Sequence, residues 1–234
     1  MWVGSREAFF NVESWVRNGD SNLRLEDFEG EICFLGLDLA SKVDICAIDI
    51  LFPVGEREFV RFGKYYLPYD TVMLRENEHY QGWMQDGWLT VTDGNITDYN
   101  EIKADILDIA SRFQVQEICF DPYQSVKLIT ELMDEGLNCV EIKQTVPNFS
   151  EPMKEMDALC RAGKLKHNGD PVMTWMVSNV VAKEDAKDNV YPRKERNENK
   201  IDGVVAEIMA LNRAIAYQDL PGSIYENDDI LDYD

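Results

Sequence analysis

The chain has 234 residues, of which 45% are hydrophobic and 29% charged, the composition of an ordinary globular domain. It has no run of the roughly 18–20 apolar residues that a membrane span needs, and residues 1–7 lack the pattern of a secretory signal. The net charge of −21 argues against tight nucleic-acid binding by the chain as a whole. The five cysteines form no C-x-x-C pair, so we expect reduced, buried thiols, not a zinc site or disulfides.

The charge is distributed unevenly. Residues 225–234 contain five acids and no base, whereas residues 191–200 contain four bases and two acids. Because the charge near a cleft governs binding there, the basic segment keeps a nucleic-acid site open as a hypothesis.

Apolar runs and turn signals predict the elements in chain order. Residues 1–30 are predicted to be an irregular lead-in, and the next three strands to form an antiparallel meander over residues 32–39, 44–52 and 57–67. Helices are predicted over residues 70–85, 99–113, 124–135, 151–162, 171–180 and 201–217. Extended segments are predicted at 88–91, 115–121 and 137–142, and a charged hairpin within 181–200. Residues 219–234 are expected to be a disordered acidic tail. The order predicts an α/β fold whose mixed sheet, an antiparallel meander followed by parallel strands, is flanked by helices.

Two aspartates end predicted strands, and a third begins the last predicted helix. Asp38 follows Phe34–Leu37, and Asp121 follows Ile118–Phe120. Strand-end acids on neighbouring parallel strands would lie side by side, because strands are about 4.8 Å apart. Asp202 lies at the edge of the buried face of its helix and could point toward the same strand ends.

Three converging carboxylates would repel one another unless cations neutralised them. Oxygen ligands of this kind suit Mg²⁺ or Mn²⁺, and a pair of such ions can cleave a phosphodiester. Each acid also has a simpler interpretation: Asp38 and Asp121 as turn residues, and Asp202 as a complement to the helix dipole.

Several segments together resemble the nuclease domain of tailed-phage terminase large subunits. They are Gly36–Ser41 with Asp44, Phe120–Gln124, Glu151–Met156, Gly163–His167, Pro171–Asn179 and Lys200–Ala206, and they follow the family's order across about residues 30–217. The resemblance implies a ribonuclease-H-like fold in residues 31–218 and a metal-dependent DNA endonuclease that cuts concatemeric viral DNA during packaging. Asp38, Asp121 and Asp202 match the family's catalytic acids, with Asp38 bridging two Mg²⁺ or Mn²⁺ ions.

The resemblance also implies partners and a location. The expected partners are double-stranded DNA, the terminase ATPase domain, the small terminase subunit and the portal protein, with action at the procapsid in the host cytoplasm and no membrane. Since no G-x-x-x-x-G-K-[ST] phosphate loop is present, we expect an excised nuclease domain without the packaging motor.

Other residues have weaker signals. Arg193, Lys194 and Lys200 could approach DNA phosphates, or could simply be solvated. Asn179 matches a family position but could equally end a helix, and His167 is expected in a surface turn. Two alternative functions stay open: a Holliday-junction resolvase or transposase of the same fold, and a non-catalytic module that docks on the portal.

Overall fold

Seven strands form one mixed sheet, and two more form a separate hairpin, in a computed structural model that describes residues 8–39, 44–123, 126–196 and 198–219. The strands are β1 Ile32–Asp38, β2 Cys46–Gly55, β3 Glu58–Pro68, β4 Thr90–Thr92, β5 Gln114–Phe120, β6 Cys139–Glu141, β7 Leu165–His167, β8 Val180–Glu184 and β9 Val190–Lys194. The helices are α1 Val12–Arg17, α2 Tyr69–Val72, α3 Glu78–Gln85, α4 Tyr99–Arg112, α5 Val126–Asp134, α6 Val146–Ala162, α7 Pro171–Asn179 and α8 Asp202–Gln218. In the described part of the chain, no helix is both long and apolar enough to cross a membrane.

The strand order is β4-β3-β2-β1-β5-β6, and β7 pairs with the far end of β3. The meander β1-β2-β3 is antiparallel, whereas β4 and β7 run parallel to β3, and β5 and β6 run parallel to β1. Among the described strands of this sheet, β2 alone therefore runs against the others. The predicted mixed sheet flanked by helices is confirmed, and β1, β5 and β6 end at one edge.

The two faces of the sheet pack against different helices. On β1, Leu35 and Leu37 join the core beneath α4 and α5, whereas Phe34 joins the core beneath α6, α7 and α8. Since side chains alternate along a strand, Gly36 and Asp38 share the face of Phe34. The last residue of β1 therefore points toward the side where α8 packs.

A buried ionic cluster ties that face together. The Arg61 guanidinium on β3 bonds Asp49 of β2 through Nε–H at 2.8 Å, and it bonds Asp170, the N-cap of α7, through Nη1–H at 2.9 Å. The Tyr65 hydroxyl donates to Asp170 at 2.5 Å, and Glu207 of α8 lies 3.9 Å from Arg61. All four charged residues have 0% exposure, so the cluster fixes two strands and two helices in one arrangement.

The structure corrects the prediction for the first 30 residues in one respect. They include a helix, α1, rather than only irregular chain, and its Trp15 is fully buried. The Trp15 ring stacks on His167 with centroids 4.2 Å apart, and its Nε1–H donates to Thr174 Oγ1 at 3.0 Å. His167 is 1% exposed within β7, so the surface turn expected there is wrong. Burial lowers its pKa to about 4 and keeps the imidazole neutral.

Two helices differ from their predicted bounds. The helix expected over 70–85 is broken, because Leu74 is extended and side chains of Asn77 and Gln81 donate to the main-chain carbonyls of Thr71 and Val72. The helix expected from 151 begins at Val146, since Pro147 occupies the first turn, where a missing N–H costs nothing. The turn after Leu39, the helix start at Gln124 and the tail from 220 onward lie outside the described residues.

Candidate active site

Two of the predicted acids lie at the ends of adjacent parallel strands. Asp38 is the last residue of β1, and Asp121 directly follows β5. The register pairs Leu37 with Phe120, so each acid lies one residue beyond that pair. At a strand spacing of about 4.8 Å, the two side chains emerge beside one another on the same face.

Helix α8 brings the third acid across that face. Asp202 is its first residue, and a Cβ atom on Gly36 would lie only 1.9 Å from the carbonyl oxygen of Ala206. Glycine is thus required for this approach of helix to strand. Arg213 further along α8 makes a two-pronged ion pair with Glu117 of β5, at 2.5 and 2.9 Å. These contacts fix the beginning of α8 over the strand ends.

The other acids of the site act electrostatically on Asp38. The pKa of Asp38 is raised well above its usual range, first by burial and then by the charges of Asp202, Asp121 and Asp44. A hydrogen bond from Gln144 acts in the opposite direction. The structure therefore brings Asp38, Asp121 and Asp202 into one electrostatic neighbourhood.

Asp202 carries an unsatisfied atom. Burial, together with the charge of Asp44, raises its pKa to about 6, although Lys194 and Lys200 favour its ionised form. Its Oδ2 is buried and has no hydrogen-bond partner among the described residues. A buried carboxylate oxygen of this kind is costly unless a donor or cation meets it.

Gln144 is a site residue that the sequence analysis missed. It lies between β6 and α6; its main-chain N–H donates to Asp121 Oδ2 at 3.0 Å, and its side-chain Nε2–H donates to Asp38 Oδ1 at 3.1 Å. Its carbonyl accepts from the Tyr191 hydroxyl at 3.2 Å. No motif marks this glutamine; the signal available was its place just after the extended segment predicted at 137–142.

The predicted cationic residues flank the same edge. A cavity of about 330 Å³ is lined by Asp38, Gln144, Tyr191, Pro192, Arg193, Lys194, Ile201 and Val205. The β8–β9 hairpin thus contributes Arg193 and Lys194 to the wall of this cavity, and β1 contributes Asp38. Such a cleft can hold a phosphate backbone beside an acid cluster.

Lys200 and Asn179 have local partners. The Lys200 ammonium forms an ion pair with Asp44, and its side chain is 13% exposed, so it is not freely solvated. The Asn179 side-chain amide donates to the Lys200 carbonyl at 3.0 Å, which fastens the main chain two residues before Asp202. Both residues therefore support the entry to α8.

The donor atoms fit a hard divalent cation in chemistry. Asp38, Asp121 and Asp202 offer carboxylate oxygens, and the buried Oδ2 of Asp202 has no hydrogen-bond partner among the described residues. Within the described ranges, however, no three Asp, Glu, His or Cys side chains are grouped closely enough to hold a metal ion. The charges of Asp121 and Asp202 act on Asp38, but the described side chains are not arranged as common ligands of one ion.

Comparisons with known proteins agree on one family. The family model described as "Terminase large subunit, endonuclease domain" matches residues 1–218. Protein YmfN of Escherichia coli (strain K12) is 40% identical over 231 residues, which is 93% of this chain and 51% of that protein. The chain thus spans about half the length of this relative.

Terminases of two phages are also similar to this chain, one in sequence and structure and the other in structure. The terminase large subunit of Enterobacteria phage HK97 is 27% identical over 186 residues, 77% of this chain and 37% of that protein. The crystal structure of the HK97 large terminase has a TM-score of 0.78 at 24% identity, covering 89% of this chain and 44% of that chain. The large terminase nuclease of thermophilic phage G20c has a TM-score of 0.59 at 11% identity, covering 88% and 97%.

The predicted ribonuclease-H-like fold is confirmed by these structures. The family model covers nearly the whole chain, and the YmfN relationship is well above the level at which only a fold is shared. The chain belongs to the endonuclease-domain family of the terminase large subunits.

Proposed function

We propose that this chain is a divalent-metal-dependent DNA endonuclease that cuts concatemeric viral DNA during genome packaging. Two observations support the proposal. The charges of Asp121 and Asp202 act on Asp38, and a buried oxygen of Asp202 has no hydrogen-bond partner among the described residues. Family membership supports a nuclease, since the matching model is that of an endonuclease domain.

In the proposed enzyme, different residues would bind the metal, contact the DNA and balance the charge. Asp38, Asp121 and Asp202 would hold Mg²⁺ or Mn²⁺, which when bound supplies charge neutralisation at the phosphodiester and activation of water. Arg193 and Lys194 line the cavity that contains Asp38, and would hold the DNA backbone there. Lys200 balances Asp44 and lowers the local excess of negative charge.

Solved relatives support the choice of metal. The G20c nuclease has been crystallised with bound magnesium and with bound cobalt. We extend divalent-metal use to this chain because its three acids provide only oxygen donors and because it shares the fold of that nuclease.

The wider assignment follows from the family. The proposed partners are double-stranded DNA, a terminase ATPase domain, a small terminase subunit and a portal protein, in the host cytoplasm at the procapsid. A junction resolvase would use the same acids, so substrate choice separates the two functions: equal or faster cutting of linear duplex than of four-way junctions favours the packaging enzyme.

The proposal is tested with Asp38→Asn. Nicking of supercoiled plasmid in Mn²⁺ should fall by at least ~100-fold, because the central carboxylate charge is lost while the side-chain shape remains. The control is Asp134→Asn on the exposed end of α5, which should cut at the wild-type rate. Nicking by Asp38→Asn at the control rate would refute the assignment.

A further inference from the structure

Gln144 is the described residue that hydrogen-bonds both Asp38 and Asp121. Its main-chain N–H reaches Asp121 Oδ2, and its side-chain amide reaches Asp38 Oδ1, at 3.0 and 3.1 Å. The two donors belong to one residue, so covalent bonds limit how far apart they can lie and the side-chain rotamer sets their relative position. The separation of the two carboxylates is therefore linked to the conformation of a single glutamine.

The loop that carries Gln144 is itself anchored. Its carbonyl accepts the Tyr191 hydroxyl of β9, and Asp121 also accepts the Tyr123 main-chain N–H at 2.9 Å. Gln144 is only partly buried, yet its amide, its N–H and its carbonyl all have partners. A partly exposed glutamine without a specific role would leave its long side chain to water, because ordering it costs entropy.

The chemistry of an amide suits this place. Two carboxylates at adjacent strand ends repel, and a neutral N–H donor reduces that repulsion without adding a competing charge. A lysine would neutralise an acid and displace a cation, and a glutamate would add a further negative charge. Glutamine holds the acids near one another and leaves their charge available.

We propose that Gln144 is a positioning residue that sets the separation and orientation of the Asp38 and Asp121 carboxylates, and that Tyr191 holds Gln144 in place. The role rests on the proposed metal-dependent nuclease function. Gln144 acts through the two acids and not on substrate directly. We call the two hydrogen bonds from Gln144 to Asp38 and Asp121 the Gln144 clamp. A substitution at position 144 can remove the side-chain bond to Asp38 while the main-chain bond to Asp121 remains.

The first test does not depend on catalysis. In the metal-free protein, the side-chain amide resonances of Gln144 should shift in ¹H–¹⁵N spectra on Asp38→Asn, because the carboxyl oxygen that accepts from Nε2–H is replaced by an amide group. The amide of Gln116 on β5, which bonds a main-chain carbonyl at 3.4 Å, should be unchanged. Unshifted Gln144 resonances would overturn the clamp whatever the enzyme does.

The second test measures metal binding and turnover. Gln144→Ala and Gln144→Asn, which withdraws the amide by one methylene, should each weaken Mn²⁺ binding in calorimetry and lower kcat by roughly 10- to 100-fold, the usual cost of losing a residue that orients ligands. Gln116→Ala is the matched control and should bind and cut as wild type. Thermal melting of the metal-free variants shows that they remain folded.

Tyr191→Phe completes the design. It removes only the hydroxyl that holds the Gln144 carbonyl, so it should weaken Mn²⁺ binding less than Gln144→Ala and add little in the double variant, because both changes act on one contact chain. Wild-type Mn²⁺ affinity in Gln144→Ala, beside lost affinity in Asp38→Asn, would refute the positioning role alone. Wild-type affinity and cutting in Asp38→Asn would instead refute the proposed function.

Discussion

At the scale of single residues, two acids of the candidate site lie in surroundings that disfavour their ionised forms. Burial and like charges raise the pKa of both Asp38 and Asp202, which means that the folded protein resists their ionisation. Ionised at neutral pH, each would cost stability. Such a cost is typical of residues retained for binding or chemistry.

The pH dependence of Asp202 can be predicted with its sign. Its pKa is about 6 in the folded chain against 3.8 ordinarily, so the folded state binds the proton more tightly. The stability contributed by the protonated form is therefore present below about pH 4 and is lost as pH rises through 6. In Asp202→Asn, the free energy of unfolding should decrease less as pH rises from 4 to 7. At pH 7 it should exceed that of the wild type by on the order of 1–3 kcal/mol.

Urea unfolding between pH 4.5 and 7.5 in a chelator measures this effect. Asp134→Asn serves as the control, since that acid is exposed. A variant that is less stable than wild type at pH 7, with an unchanged pH slope, would contradict the predicted charge strain at Asp202.

The acids have a local signal in the sequence that their hydrogen-bond partners lack. Asp38 and Asp121 stand out because a carboxylate ends an apolar run, a local pattern. Gln144 has no such pattern: its role depends on β6 lying beside β5 and on two acids more than twenty residues away. His167 was misjudged because its polar neighbours in sequence hide the indole that covers it in space.

At the scale of elements, α8 determines the geometry of the site. It packs on β1, β2 and β5, and its close approach depends on the missing side chain at Gly36. Any added atom at position 36 must push the helix outward, and Asp202 would move with it.

Gly36→Ala should therefore lower both stability and cutting. The new methyl group would overlap main-chain atoms of Ala206, and overpacking of this kind costs about 1–3 kcal/mol or more. Gly82→Ala within α3 is the control: apart from the chain neighbours and the adjacent backbone of its own helix, no described atom lies within 4 Å of the place its methyl group would occupy, so it should be neutral or slightly stabilising. Chemical denaturation and plasmid nicking measure both, and a Gly36→Ala protein as stable as wild type would show that α8 is not so constrained.

Elements of strong periodicity were predicted well, whereas two of the short elements were missed. The helix at α4 and the strands β1 and β5 agree closely with expectation, because each buries a continuous apolar face. Helix α1 and strand β7 are six and three residues long, and they exist through tertiary contacts that no local pattern encodes. The same limit explains the broken helix over 70–85.

At the scale of the whole molecule, total charge and local charge oppose each other. The chain carries −21, yet Arg193 and Lys194 share a cavity with Asp38. Long-range repulsion should make the isolated chain a weak DNA binder, and in the proposed function the cleft would direct bound DNA to the acids. Tight engagement would need a further partner to hold the DNA near.

The salt dependence of DNA binding tests whether the basic residues of the cavity contact DNA phosphates despite the negative net charge. In Lys194→Ala, the slope of log K against log salt concentration should become shallower by about one, because one phosphate contact is lost. Lys183→Ala, an exposed lysine on the other strand of the hairpin, should leave the slope unchanged. Fluorescence anisotropy in the presence of a chelator avoids cleavage, and equal slopes for both variants would remove Lys194 from the DNA path.

The indole of Trp15 has a practical consequence for anyone trimming this protein. A polypeptide begun at residue 31, where the nuclease portion was expected to start, would lack the plug between α7 and β7. Thr174 and the flat side of His167 would then be exposed to solvent in a hollow shaped for an aromatic ring. Such a fragment would be prone to precipitate, and the shortest well-behaved version should also retain the buried Phe10 and Asn11, the N-cap of α1.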